Sequence, residues 1–139
     1  MDSVDWGRPT GEGIMRSPDP TSQDRARLAY FSNIVLVRTQ LAATPTVVFT
    51  VPQKQVYVMR GFSVFNSDGA ASHTATLRLV PYGGANTSAN DYWETTIPAR
   101  TNSPWTLEEV LPGGYQIVAY ADVASKLNLK INAALLVQQ

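Results

Sequence analysis

Cysteine is absent from the 139 residues, and histidine occurs once, at His73. Without cysteine there is no disulfide scaffold and no thiolate metal site. A zinc site needs clustered His and Cys, and a calcium loop needs closely spaced oxygen ligands. Neither is on offer: Asp68 and Asp91 are isolated, with no Asp-x-Asp-x-Asp-Gly pattern. Charge is also scarce, at 16% of residues, against an ordinary fraction of ~25%. The 11 Lys+Arg balance the 11 Asp+Glu. A neutral chain has no global field to draw in DNA, RNA or an anionic membrane. The same neutrality removes the repulsion that keeps copies of a protein apart. No apolar run approaches the ~18 residues of a membrane span. Met1-Asp2-Ser3-Val4-Asp5-Trp6 carries no basic and apolar leader pattern, so synthesis in a cytosol is expected. These shortages lead to four expectations: no cofactor, no metal, no direct nucleic-acid contact and no membrane.

What remains is one domain's worth of chain, with an ordinary hydrophobic fraction of 44%. At this size a compact fold buries roughly 70% of its unfolded surface. The text divides at about residue 28. Residues 1–27 hold nine charged residues and three prolines (Pro9, Pro18, Pro20). Their apolar residues are few and follow neither a helical nor a strand period. One short helical turn is conceivable from Thr21 or Ser22 through Leu28. Ordering such an arm costs tens of kcal/mol, and offsetting about 30 kcal/mol takes on the order of 1,200 Å² of apolar burial. The arm cannot bury that alone. It either lies on its own domain or clamps neighbouring subunits, and the second is the expectation. Trp6, Ile14 and Met15 are then the apolar anchors, and Arg8, Arg16, Arg25 and Arg27 the polar pins. Trp and Arg suit that role because both are enriched at interface hot spots.

Residues 28–139 read as strands. Asn33–Thr39 is β-branched and apolar. Thr46–Val51 alternates, with Val47, Phe49 and Val51 expected on one face and Val48 on the other. Gln55–Phe65 is long, and Gly61 marks a bulge or a close approach of backbone. His73–Val80 sets Ala75, Leu77 and Leu79 against Thr74, Thr76 and Arg78. Tyr92–Ile97, Trp105–Val110 and Tyr115–Ala121 are shorter candidates. Lys126–Val137 is the cleanest, with Leu127, Leu129, Ile131, Ala133 and Leu135 facing in. Turn chemistry separates them: Asn66-Ser67-Asp68-Gly69, Tyr82–Asn86, Pro98–Asn102 and Pro112-Gly113-Gly114. About eight strands with little helix predict an all-β fold, a single antiparallel β-sandwich of jelly-roll type carrying an extended N-terminal arm.

Catalytic patterns are thin. His73 has no partner that sequence identifies, and it reads as a polar residue at a strand start. Glu108 and Glu109 are adjacent in a strand, so they point to opposite faces and cannot cooperate. Asp91 and Glu94 flank Tyr92-Trp93 and are placed to line a sugar cleft, although an exposed strand edge is the plainer reading. Gly83-Gly84 and Gly113-Gly114 match no phosphate-binding loop. Asn86-Thr87-Ser88 fits the glycosylation triplet but matters only after secretion. Tyr82, Tyr92, Trp93, Trp105 and Tyr115 fall at or near loops. Tyr92, Trp93 and Trp105 are the surface aromatics to watch: a carbohydrate-binding module would hold them solvent-facing and coplanar, whereas a protein interface would pack against them. No basic residues interleave with these rings, against single-strand nucleic-acid binding. No catalytic role is expected.

Thr46-Val47-Val48-Phe49-Thr50-Val51-Pro52-Gln53-Lys54-Gln55-Val56-Tyr57-Val58 resembles a strand-turn-strand pattern of small tailed-bacteriophage virion proteins. Phe62–Ala71 resembles their next strand and its Asn and Gly-Ala turn, and Thr74–Val80 the alternating strand after it. Glu109–Ile117 is similar to a further segment, with Gly114-Tyr115-Gln116 where the pattern usually has Asp. The resemblance covers about 46–137 and leaves out the arm. It implies a virion structural protein, assembled in the host cytoplasm, with no enzymatic residues to carry over. Within that class a capsid decoration (cement) protein is expected, bound to the major capsid protein and to copies of itself, as a homotrimer at three-fold junctions. A tail, baseplate or fibre-adaptor protein is the first alternative, a carbohydrate-binding module the second and a glycosidase the third.

Overall fold

The computed structural model describes residues 33–136, and residues 1–32 and 137–139 lie outside that description. The helical turn expected near Thr21–Leu28, the arm of residues 1–27 and Val137 therefore fall outside the described residues. Eight strands follow in order: β1 (Asn33–Gln40), β2 (Thr46–Thr50), β3 (Val56–Asn66), β4 (His73–Val80), β5 (Asp91–Ile97), β6 (Asn102–Leu111), β7 (Gln116–Ala121) and β8 (Leu127–Leu136). One 3₁₀ turn, Ser88–Asn90, precedes β5.

The pairing explains the architecture. β1 pairs with β8, β2 with β7, β3 with β6 and β4 with β5, all antiparallel. This is the pattern of one long hairpin folded at its β4–β5 tip. Rolling that hairpin brings β3 beside β8 and β4 beside β7. Two sheets result, β1-β8-β3-β6 and β2-β7-β4-β5. The fold is an all-β jelly roll, with the two sheets face to face.

Inward residues of both sheets form the core. Met59, Leu77, Ile97, Leu111, Ile117, Leu127, Leu129 and Ile131 are fully buried. β8, at the centre of its sheet, keeps the alternation read from its sequence: Leu127, Leu129, Ile131 and Ala133 are buried, while Asn128 and Lys130 are exposed.

Elsewhere single extra residues break the alternation. Leu36 in β1, Val48 in β2, Arg60 in β3 and Tyr92 in β5 each have no opposite number on a neighbouring strand. Each is a β-bulge, which shifts every later side chain to the other face. In β3 the buried set switches from Tyr57 and Met59 to Phe62 and Val64. In β2 the bulge corrects the expected faces: Val48 packs against the core beside Phe49, and Val47 is exposed. Gly61 sits just after the β3 bulge. A Cβ there would stand 2.9 Å from the Trp105 carbonyl oxygen, so the close approach expected at this glycine is real.

Loops 41–45, 67–72, 98–101 and 122–126 meet at one end of the sandwich. Backbone hydrogen bonds tie them together, among them Ser67 N–H to the Lys126 carbonyl (2.8 Å) and Arg100 N–H to the Asp68 carbonyl (3.1 Å). Loops 51–55, 81–90 and 112–115 form the other end, where Gly114 N–H donates to the Val51 carbonyl (2.8 Å).

Candidate interaction surfaces

β5 and β6 are the last strands of their respective sheets, so one lateral opening of the sandwich lies between them. Trp93 stands opposite Leu77, and Trp105 opposite Phe62. Both indoles therefore face inward, but no further strand among the described residues covers them. Phe62, Trp93 and Trp105 stack edge to face in a chain, with centroids 4.8 and 5.7 Å apart and planes at 81° and 74°. Such contacts add roughly 0.5–1.5 kcal/mol beyond area burial. Phe62, Tyr92, Trp93, Trp105, Thr106 and Leu107 line a groove of about 350 Å³ at this opening. Trp105 is 47% exposed and Tyr92 is also open to solvent. The Trp93 indole N–H is buried and finds no acceptor among the described residues.

The two strands that bound the groove are acidic in sequence. β5 and β6 contribute Asp91, Glu94, Glu108 and Glu109, and neither strand has a Lys or Arg. The Tyr92 hydroxyl donates to Glu109 Oε1 (3.3 Å). Burial, and then the Glu109 charge, push the Tyr92 phenol above its ordinary pKa. Glu108 lies 3.8 Å from the Arg60 guanidinium.

The structure thus brings together all three aromatics singled out in the sequence, Tyr92, Trp93 and Trp105. They lie in β5 and β6, the strands expected there, near the strand starts. The 74° angle between Trp93 and Trp105 departs from the coplanar platform that a carbohydrate-binding module requires. Trp6, Arg8, Ile14, Met15, Arg16, Arg25 and Arg27 lie outside the described residues.

Arg78 was expected on a wet face, yet its side chain is only 8% exposed. Its Nε donates to Asp91 Oδ1 (2.5 Å), its Nη1 to Asn86 Oδ1 (2.9 Å), and its guanidinium lies 5.1 Å from the Tyr120 ring centroid. The hydrogen bond to Asp91 raises the Arg78 pKa. Asp91 is therefore a structural counter-ion that holds loop 81–90, not an open carboxylate paired with Glu94.

His73 has two partners that its sequence neighbourhood did not reveal. Its Nε2 stands 2.8 Å from Asp68 Oδ2 and its Nδ1 3.2 Å from Asp122 Oδ1. The imidazole is thus held between two carboxylates, with a hydrogen bond to Asp68. Asp68 also accepts from the Ala70 N–H (2.9 Å) and the Ala71 N–H (3.3 Å). The His73 hydrogen bond, then these amides, lower its pKa to about 2. Beside it Asn66, fully buried, donates to the Ala71 and Ile97 carbonyls (2.9 Å each) and accepts from the Asp68 N–H (2.9 Å).

On the opposite side of the sandwich the edge strands β1 and β2 show Ile34, Val35 and Val47 to solvent, Val47 on the outer face of its sheet. The one charged residue of these two strands is Arg38. Arg38 stands directly opposite Lys130 of β8, an arrangement of like charges that costs free energy unless an anion neutralises it. Both line a groove of about 510 Å³ on the outer face of the sheet, with Phe65, Asn102 and Asn128.

No family model matches this chain, and no curated protein matches it. A solved structure described as "Bacillus endospore appendages form a novel family of disulfide-linked pili" is similar at 8% identity and a TM-score of 0.47. The likeness covers 78% of this chain and 87% of that one. A likeness at that level carries no argument about what this chain does.

Proposed function

We propose that this chain is a non-enzymatic structural protein of a tailed-bacteriophage virion, acting as a capsid decoration protein that bridges major capsid protein subunits. One observation carries the reading: how the polar and apolar groups are allotted. The polar clusters at Asp68–His73–Asp122 and Arg78–Asp91 are committed to holding loops. Large apolar and aromatic side chains, among them Ile34, Val47, Trp105 and Val110, are left exposed on the strands at both lateral edges. That distribution suits a module that works by contact. The sequence segments that resemble small virion proteins support the same reading, because they fall on β2 to β4 and on the β6–β7 turn, the framework of the roll.

In this account residues 1–27 reach neighbouring subunits while the sandwich sits over a junction of the shell. The test is a chain lacking residues 1–27, checked for an unchanged circular dichroism spectrum and then mixed with undecorated shells. Loss of shell binding is expected; unchanged affinity overturns the arm's role. Ring-like or fibre stoichiometry in purified particles would instead favour the tail, baseplate or fibre-adaptor reading. A glycan array is expected to stay blank, since the Trp93–Trp105 geometry gives no flat platform. Asp91→Asn and Glu94→Gln are expected to leave any glycosidase readout unchanged.

A further inference from the structure

We infer that the two lateral edges of the jelly roll dock onto each other head to tail, the β1–β2 edge of one copy against the β5–β6 edge of the next. The inference gives surfaces to the self-association included in the function proposed above.

Three features of the molecule carry it. Both edges end their sheets and have no further strand beside them among the described residues. Both also expose large apolar side chains: Ile34 (45%), Val35 (48%) and Val47 (42%) on one, Tyr92 (42%), Trp105 (47%) and Val110 (53%) on the other. Long apolar edges left open are association sites by default, because they offer unpaired backbone and unburied area together.

Their charges are complementary. The β1–β2 edge carries Arg38 with no acidic residue, backed by Lys130 directly across the ladder. The β5–β6 edge carries four carboxylates with no Lys or Arg; Asp91 is assigned to Arg78 and Glu108 lies beside Arg60, which leaves Glu94 and Glu109. A positive apolar edge and a negative apolar edge on one molecule select each other and disfavour like pairing. An isologous contact would set carboxylates against carboxylates on one edge, or Arg38 against Arg38 on the other. The contact is therefore heterologous. Repeated, it makes a ring if its rotation closes and a row if it does not; the homotrimer expected from the sequence is the smallest such ring.

The edge strands also carry limits on this contact. Pro104 removes one backbone donor from β6, and the β6 ladder is irregular where Leu107 and Glu108 stand opposite Arg60. Both discourage an endless β-ladder along that strand. Side-chain packing with charge pairing is the expected mode.

The test uses the full chain in solution with no capsid present, so its failure leaves the capsid reading standing, and a failure of shell binding leaves this inference standing. Val47→Asp spoils the β1–β2 edge only, and Val110→Asp spoils the β5–β6 edge only. Both positions are exposed, and unchanged melting temperatures would show that the variants fold. If either melts low, Ile34→Asp or Trp105→Asp spoils the same edge. By sedimentation equilibrium the unaltered chain is expected at a multiple of its 15.2 kDa subunit mass, and each variant alone at the subunit mass. An equimolar mixture of the two variants keeps one sound pair of edges. It is expected to give dimers and nothing larger. A monomeric unaltered chain, a variant that assembles as before, or a mixture that stays monomeric would each overturn the inference.

Discussion

The two ends of this sandwich are closed by different chemistry. At one end, side chains hold the loops: the Asn66 amide spans two carbonyls and an N–H, and His73 sits between Asp68 and Asp122. At the other, backbone comes so close that side chains are excluded. A Cβ on Gly113 would stand within 2.1 Å of the Gln53 carbonyl oxygen, and Gly114 has a φ of +87°. The first end depends on the identity and charge of its polar residues; the second combines the Arg78 contacts that hold loop 81–90 with two glycines, Gly113 and Gly114, where no side chain fits. Buried polar networks are costly to leave half-satisfied, whereas a glycine approach fails by steric overlap. Stress on the protein should therefore tell the ends apart.

The largest effect is expected from Asn66→Ala. It leaves the buried Ile97 carbonyl, the part-buried Ala71 carbonyl and the Asp68 N–H without their partner, a cost of about 2–4 kcal/mol. A urea unfolding curve with the midpoint lowered and the slope kept would check it. Gly113→Ala is next, at about 1–3 kcal/mol, because loop 51–55 must move to admit the methyl group. At that position Ala and Ser should destabilise alike, while at Asn66 the isosteric Asp should do no better than Ala, because a carboxylate cannot donate to the Ala71 and Ile97 carbonyls and would be buried against them.

Acid separates the ends without mutation. Asp68 has its pKa lowered from 3.8 to about 2 in the folded protein. The folded state therefore binds this proton less readily than the unfolded chain does. The contribution of Asp68 is fully present above about pH 4 and is lost as the pH falls through about 2. Asp68→Asn should flatten stability over that window, whereas Gly113→Ala should lower the whole curve and keep its shape. Chemical denaturation at several pH values distinguishes the two. The smallest effect is expected from Thr74→Val, which removes an exposed hydroxyl contact to Thr96 (2.9 Å) and should stay within about 0.5 kcal/mol.

The same contrast explains how much was legible in the sequence. Strand positions were, because period-two burial is local: His73–Val80 matches β4 end to end, and β8 starts one residue after the expected Lys126. The eight strands and Pro/Gly turns sufficed for a jelly roll. Bulges were not legible, since one inserted residue depends on the neighbouring strand; Val48 turned inward for that reason. Arg78 looked solvated because its cover, Asn86, Asp91 and Tyr120, comes from other parts of the chain. His73 lacked visible partners because Asp122 reaches it only through the pairing of β4 with β7. Tyr92, Trp93 and Trp105 could be named as surface rings, but their meeting at one opening required β5 and β6 to lie at corresponding edges.

The central claim is that this molecule works by contact, as a component of a particle shell. Quantitative mass spectrometry of purified particles tests it most directly. The account predicts many copies per particle, in a fixed ratio to the major capsid protein and lost when residues 1–27 are removed. Absence of the chain from purified particles, or a copy number unrelated to the shell lattice, would contradict it.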